Sequence, residues 1–226
     1  MAQLLQRELL RRAPPERKTS NVSGLFISFE GIDGVGKSTQ ADLLESWLSE
    51  QGKTVVRTLE PGGTEVGVEI RKILLHHKGD LAPRAEAALF AADRAHHVAS
   101  KIRPALERGE IVITDRYFDS SVAYQGAGRD LSQEEVRNLS LWAVGGLLPK
   151  LTVLLDLPAD VARARRNQTG TEPDRLEKEK IEFFEKARNS YLGLAKAEPE
   201  RFLVIDASTD IETMQTQIRK AVSELL

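Results

Sequence analysis

The chain has 226 residues and a formal net charge of −2, and it contains no cysteine. This length is enough for one α/β domain with an ample core. The small net charge gives no case for a nucleic-acid-binding surface, and the lack of cysteine excludes disulfides and thiolate metal sites. No apolar run approaches the roughly 20 residues that a membrane-spanning helix needs, so we expect no membrane contact and a cytoplasmic location.

The first residues differ in composition from the rest of the chain. In 1–23, basic residues outnumber acidic ones, and Pro14-Pro15 ends a short helical pattern of leucine and arginine. The acidic Glu8 and Glu16 argue against a transit peptide, and no apolar segment suggests a secretion signal. We expect a mobile extension over 1–23, followed by one domain over 24–226.

Beyond this extension, five strand candidates alternate with helical patterns. The strand candidates are 25–29, 54–58, 111–114, 151–157 and 202–205. The helical patterns are 37–50, 66–76, 83–107, 132–146, 173–197 and 210–225. Several strands are continuous apolar runs, which is typical of parallel strands covered on both faces. The order predicts a doubly wound sheet that binds ligands at the carboxyl ends of its strands.

The first strand leads into a glycine-rich segment that predicts a nucleotide-phosphate site. The pattern Gly31-x-x-x-x-Gly36-Lys37-Ser38 lies between a strand and a helix, as in a P-loop. Its amides and the helix N-terminus would surround phosphate, with Lys37 near the β- and γ-phosphates and Ser38 on Mg²⁺. The predicted phosphate-binding residues are Gly31, Ile32, Asp33, Gly34, Val35, Gly36, Lys37, Ser38 and Thr39. The alternative is a structural glycine turn.

Charged residues follow the next strands. Glu60-Pro61-Gly62-Gly63-Thr64 comes after the second strand, and Asp115 and Arg116 come after the third. Beside a P-loop, an Asp in this place commonly holds Mg²⁺ through water, and an adjacent Arg can contact phosphate oxygens. The alternatives are a helix N-cap for Asp115 and a surface ion pair for Arg116.

Two further candidates lie in the glycine-rich loop and on the long helix. A carboxylate facing phosphate would be repelled, so Asp33 is expected to point to a substrate hydroxyl or a basic partner; loop solvation is the alternative. Phe90 and Arg94 are four residues apart and share a helix face. The ring could stack on a base whose edge accepts from the guanidinium, although a lone helical Phe is more often a core residue.

Two helical stretches are unusually apolar. They lie at 85–99 and 136–148, and each could be core or part of a subunit interface.

A polar stretch with glycine and proline breaks, 167–173, is flanked by arginines. These are Arg163, Arg165, Arg166 and Arg175. We predict a mobile lid over about 163–175 that closes basic side chains over the transferring phosphoryl group. The alternative is two solvated helix ends joined by a loop.

Five motifs together resemble the thymidylate kinase family. They are FEGIDGVGKSTQ at 29–40, EPGGT at 60–64, LFAADR at 89–94, DRYFDSSVAYQG at 115–126 and DRLE at 174–177. The resemblance runs from about residue 24 to 226. It implies an α/β P-loop kinase with a five-stranded parallel sheet, helices on both faces and a short lid. The loop carries no arginine while the lid carries several, which resembles the bacterial branch.

This resemblance implies phosphorylation of dTMP to dTDP, a step in dTTP synthesis, with ATP and Mg²⁺ as cofactors and a homodimer as the assembly. Phe90 would stack on thymine, Tyr124 would lie under the deoxyribose, and Asp33 would approach the 3′-hydroxyl or a phosphate-binding arginine. The implied acceptor-site residues are Glu60, Arg71, Phe90, Arg94, Arg116, Ser121, Tyr124 and Gln125. The implied catalytic residues are Lys37, Asp33, Arg116, Arg163, Arg165, Arg166 and Arg175, with Ser38 and Asp115 at the metal.

Two other functions remain open at this point. A kinase for a different acceptor, such as a nucleoside, would need a base to deprotonate a hydroxyl, with Asp33 or Glu60 as candidates. A nucleotide-dependent switch would leave the acceptor motifs without a role, and the chain has no guanine-selective Asn-Lys-x-Asp.

Overall fold

The computed structural model describes residues 23–129, 131–168, 170 and 172–226, and its strands form one parallel sheet. The expected extension over 1–23 lies outside the described residues except for Ser23. The strands are Phe26–Glu30 (β1), Val55–Leu59 (β2), Ile111–Asp115 (β3), Leu151–Asp156 (β4) and Phe202–Asp206 (β5). Their order is β2-β3-β1-β4-β5, so the predicted five-stranded parallel sheet is confirmed.

The register of the sheet brings three strand ends together. Phe29 of β1 pairs with Asp115 of β3, and Leu59 of β2 pairs with the same Asp115. The segments that follow these strands therefore leave the same edge, as expected at the carboxyl ends of parallel strands.

Helices cover both faces of the sheet. Along β1 the side chains of Ile27 and Phe29 pack into one apolar cluster, while Phe26 packs with Val112 into a second cluster. Successive residues of a strand point to opposite faces. Both faces of the central strand are therefore buried, which explains its continuous apolar sequence.

Most helices begin and end near their predicted bounds. They are Lys37–Glu50 (α1), Glu65–His76 (α2), Pro83–His97 (α3), Arg103–Glu107 (α4), Phe118–Ser121 (α5), Gln133–Val144 (α6), Ala159–Asn167 (α7), Ile181–Ala197 (α8) and Ile211–Ser223 (α9). A π-helical turn, Val98–Ile102, joins α3 to α4, and a second π-helical segment, Val122–Gly128, follows α5. The first of these precedes Pro104, which has no N–H to donate four residues back.

The helix predicted over 173–197 is wrong at its start, because α8 begins only at Ile181. The Asp174 carboxylate accepts the backbone N–H groups of Leu176 and Glu177, and the Glu177 carboxylate accepts that of Asp174. Such side-chain bonds to nearby backbone compete with a helix. Within the described ranges, no helix has the length and apolar character needed to cross a bilayer.

Candidate active site

The glycine-rich loop after β1 depends on backbone conformations that favour glycine. Gly31, Gly34 and Gly36 have φ of 132°, 89° and 97°. A Cβ on Gly34 would lie 2.1 Å from the carbonyl oxygen of Ala162 in α7, and one on Gly31 would lie 2.5 Å from that of Leu155. The loop therefore packs directly against β4 and α7, where no larger residue fits.

The side chains of this loop divide into buried and cavity-lining groups. Ile32 and Val35 are buried in the core, whereas Thr39 lines an open cavity over the loop. Lys37 lines the same cavity, and its Nζ donates to the carbonyl oxygens of Gly31 and Ile32 at 3.1 and 3.0 Å. We call this space the P-loop cavity.

The two residues predicted at the metal lie in contact. Ser38 Oγ donates to Asp115 Oδ2 at 2.8 Å, and both residues line the P-loop cavity. No group of three or more His, Cys, Asp or Glu that could hold a metal occurs within the described residues. Mg²⁺ bound with a nucleotide needs only one or two protein oxygens, because phosphates and water supply the rest. The pair fits that ion.

Arg116, directly after β3, contacts both sides of the site. It is the one non-glycine residue with positive φ, 70°, in the described part of the chain. Its Nη2 donates to Asp33 Oδ1 at 2.6 Å and to the Tyr124 hydroxyl at 3.1 Å, and its guanidinium lies 4.8 Å from the Tyr124 ring centroid. Arg116 thus joins the glycine-rich loop to the π-helical segment after α5.

Asp33 points to a basic partner, one of the two orientations considered from the sequence. Burial raises the pKa of its carboxyl, but the positive charges of Arg116 and Lys37 more than offset this and lower that pKa to about 2. Lys37 Nζ lies 4.0 Å from Asp33 Oδ1. Asp33 is therefore an ionised anchor for two cations.

A second cavity, which we call the acceptor cavity, lies beside the P-loop cavity. Its wall includes all eight predicted acceptor-site residues: Glu60, Arg71, Phe90, Arg94, Arg116, Ser121, Tyr124 and Gln125. Phe90 is only 8% exposed and packs into the larger apolar cluster, so it is both a core residue and part of the cavity wall.

Arg94 is 1% exposed and held by surrounding acceptors. Its Nε donates to Glu60 Oε2 at 2.6 Å, and its two other nitrogens donate to Ser121 Oγ and to the backbone oxygen of Tyr117. Glu60 Oε1 is hydrogen-bonded to His97 Nδ1 at 2.9 Å. Glu60 therefore fixes Arg94 at the wall of the cavity, and both of its oxygens are paired within the protein.

Gln125 is fixed by a buried carboxylate. Its Nε2 donates to Glu86 Oε1 at 3.0 Å, and Arg129 and Arg175 also donate to Glu86. Burial raises the pKa of Glu86, but these hydrogen bonds more than offset it and hold that pKa below its usual value. The amide group of Gln125 is thereby fixed at the wall of the acceptor cavity.

The two cavities share one wall. The residues that line both are Asp33, Glu60, Arg71, Arg116 and Glu177. Arg71 Nη1 donates to the carbonyl oxygen of Pro61 at 2.7 Å, which keeps this side chain at the boundary. A ligand on the glycine-rich loop and a ligand against Phe90 would meet at this boundary.

The four arginines of the predicted lid lie in three places. Arg165 and Arg166 line the P-loop cavity, with Arg165 donating to the Ala207 carbonyl oxygen and Arg166 paired with Glu177. Arg163 lines a neighbouring cavity and donates to the Glu179 carbonyl oxygen. Arg175 lines neither the P-loop cavity nor the acceptor cavity, because its guanidinium contacts Glu86 and the Leu74 carbonyl oxygen.

Three further residues lie beside Arg116 and were given no role from the sequence. They are Glu30, Ser120 and Tyr191. Glu30, at the end of β1, accepts from Ser120 Oγ at 2.6 Å and from the Tyr191 hydroxyl at 3.0 Å. Burial, together with the negative charge of Asp119, raises the pKa of Glu30 to about 7. A carboxylate ending an apolar strand was a usable signal for Glu30, but Tyr191 lies on an apolar helix face that resembles ordinary core.

Comparisons with known proteins agree on one family. The family model described as thymidylate kinase matches residues 29–218. A protein of Leifsonia xyli subsp. xyli named thymidylate kinase is 64% identical over 200 residues, covering 88% of this chain and 95% of its own. Proteins of the same name from Bifidobacterium longum and Symbiobacterium thermophilum are 54% and 48% identical, over 90% and 89% of this chain and 100% and 94% of their own.

The match covers the glycine-rich loop, the acceptor cavity and the arginines of α7, so it includes both sides of the cleft. The chain belongs to the thymidylate kinase family.

Proposed function

We propose that this cleft transfers the γ-phosphoryl group of ATP to the 5′-phosphate of dTMP, giving dTDP and ADP for dTTP synthesis. Family membership supports the reaction and its acceptor. The observation that carries the proposal is the shared wall, because Asp33, Arg71 and Arg116 line both cavities. Donor and acceptor phosphates would meet there end to end, as in-line transfer requires.

The chemical difficulty is electrostatic, because two polyanions must approach each other. The acceptor phosphate is already an anion, so no strong general base is needed. The negative charge that spreads over the transition state would be neutralised by four basic side chains, those of Lys37, Arg116, Arg165 and Arg166. Ser38 and Asp115 would hold Mg²⁺ bound with the nucleotide, and this ion would supply further positive charge. Arg163 and Arg175 would reach the phosphates only if the lid moved.

On the acceptor side, the fixed groups match a pyrimidine deoxynucleotide. Phe90 would stack on the base, while Arg94 and Gln125 would hydrogen-bond its edge. The Tyr124 ring would exclude a 2′-hydroxyl. Arg71 and Arg116 would bind the 5′-phosphate.

A nucleoside kinase is a poorer fit to the two candidate bases. Asp33 has a pKa of about 2 and is paired with Arg116, so its carboxylate is a weak base at neutral pH. Glu60 is buried between Arg94 and His97, and each of its oxygens is already paired with one of them. Neither carboxylate is therefore well suited to activate a neutral acceptor.

The proposal is tested by following ADP release from ATP and Mg²⁺ with dTMP, dUMP, dCMP and thymidine as acceptors. We expect dTMP to be preferred and thymidine to be inactive. The Lys37→Ala variant should lose about 10³-fold or more in kcat, because it removes a cation from the transferring phosphates. The Lys53→Ala variant, which changes an exposed lysine after α1, should keep normal turnover.

Two results would contradict the proposal. Normal turnover by Lys37→Ala would show that this lysine does not act on the phosphates. Equal use of thymidine and dTMP would show that the acceptor cavity does not depend on an acceptor phosphate.

We also propose a cytoplasmic location and, as the family resemblance implies, a homodimer. Trp142 of α6 supports a subunit contact, because 76% of this large apolar side chain is exposed.

A further inference from the structure

The Nη1 group of Arg116 is held by two hydroxyl groups. Nη1 donates to Ser120 Oγ at 3.1 Å and to the Tyr191 hydroxyl at 3.2 Å. Its two hydrogens can therefore both be accepted by buried protein oxygens. The opposite edge, at Nη2, lies with Asp33 and Tyr124 at the boundary of the two cavities.

Both hydroxyls are oriented by Glu30. Each contacts Glu30 Oε2, at 2.6 Å for Ser120 and 3.0 Å for Tyr191, and the two hydroxyls lie 2.8 Å apart. A hydroxyl that donates to the carboxylate presents its lone pairs to Arg116. β1 and α8 thereby jointly fix the plane of the guanidinium.

Tyr191 does not line the P-loop cavity or the acceptor cavity, and it is 1% exposed. Its ring packs edge-on against Tyr124, with centroids 6.4 Å apart. Any effect of its hydroxyl on a substrate must therefore pass through the groups it contacts.

We infer that Tyr191 is a positioning residue for the reaction, whose hydroxyl fixes Arg116 so that its Nη2 edge meets the acceptor phosphate. The inference rests on the proposed function, in which Arg116 binds that phosphate. A displacement of about 1 Å at such a group can reduce the rate strongly, because the reacting groups lose alignment.

The test is Tyr191→Phe, which removes one oxygen and keeps the ring. We measure kcat, KM for ATP, and the dissociation constants of dTMP and of thymidine, which lacks the phosphate. We expect kcat and the affinity for dTMP each to fall by about tenfold, since a hydrogen bond to a charged group is lost. Thymidine affinity and KM for ATP should stay within about twofold, a selectivity that general loosening of the fold would not produce.

Ser190→Ala is the matched control on the same helix. It also removes one hydroxyl, which donates to Gln133 Oε1 at 3.3 Å and is not among the hydrogen-bond partners of Arg116 in the described part of the chain. This variant should leave kcat and both dissociation constants unchanged. Ser120→Ala removes the other acceptor of Nη1, at a residue that also lines the acceptor cavity. It should weaken the binding of dTMP and leave that of thymidine unchanged, as Tyr191→Phe does, so it carries the test if Tyr191→Phe does not fold.

Arg116→Ala separates this inference from the proposed function. If Arg116→Ala weakens dTMP and thymidine equally, the phosphate role of Arg116 in the proposed function is wrong. If Arg116→Ala is selective for dTMP but Tyr191→Phe is not, only the positioning role is wrong. In the double variant, Tyr191→Phe should add no further loss once Arg116 is gone, and an additive loss would overturn the inference.

Discussion

At the scale of single residues, buried arginines decide how the acceptor cavity is built. Arg94 and Arg201 are both buried and both paired with a carboxylate, Glu60 and Asp119 respectively. Only Arg94 lines the acceptor cavity. The ion pair keeps each guanidinium group in place, and the position of that group in the fold decides whether it can contact a ligand.

Replacing Arg94 by Ala should weaken dTMP binding far more than ATP binding, because Arg94 lines the acceptor cavity, where the proposed function puts the base, and not the P-loop cavity. Removing one partner of a buried pair also costs about 3–5 kcal/mol of unfolding free energy. Calorimetric dissociation constants for dTMP and for a non-hydrolysable ATP analogue, measured at a temperature where the variant is folded, check this result.

Arg201→Ala is the control, since it removes the arginine of a second buried ion pair, with Asp119, but lies outside both cavities. This variant should have a lower free energy of unfolding but keep its affinities for dTMP and for the ATP analogue. Equal losses of dTMP and ATP affinity in Arg94→Ala would move Arg94 out of the acceptor site.

At the scale of elements, the close approach of the glycine-rich loop to α7 sets the shape of the P-loop cavity. Gly34 touches the backbone of Ala162, and Arg165 and Arg166 follow on the same helix. The loop and the lid arginines are therefore fixed relative to each other by one backbone contact.

Replacing Gly34 by Ala should lower kcat/KM for ATP by about tenfold or more, because the new Cβ would force the loop and α7 apart. Gly52→Ala is the matched control: Gly52 also has positive φ, 75°, but no atom lies within 4 Å of its Cβ position. This control should lose about 1–2 kcal/mol of stability from backbone strain while keeping activity. Steady-state kinetics and thermal unfolding of both variants give the comparison. Normal kcat/KM for ATP in Gly34→Ala would show that the contact does not shape the site.

At the scale of the whole molecule, the apolar stretches over 85–99 and 136–148 do not have a single explanation. Phe90 and Val136 are buried within the chain, whereas Trp142 and Leu148 remain exposed. The exposed part of the second stretch supports a subunit contact, and the buried parts are accounted for by packing inside one chain.

If α6 forms the contact, Trp142→Glu should convert a dimer to a monomer, because burying a charge at an apolar interface is unfavourable. Sedimentation at several protein concentrations measures the change. Val161→Glu, on the exposed face of α7, should leave the mass unchanged. A dimer that persists in Trp142→Glu would exclude α6 as the interface.

The sequence by itself determined the sheet, the glycine-rich loop and the family. These features depend on local patterns: continuous apolar strands, glycines where φ must be positive, and short motifs of fixed spacing. Each can be recognised without knowing which distant segment it meets.

Only the tertiary structure decided which charged groups share a cavity. Arg163, Arg165, Arg166 and Arg175 looked alike in the sequence, yet only Arg165 and Arg166 line the P-loop cavity. The start of α8 at Ile181, and the contact of Tyr191 with Arg116, also depend on side-chain geometry that spacing along the chain does not encode. Direction and distance of side chains are set by packing between elements, so they become known only when the elements are assembled.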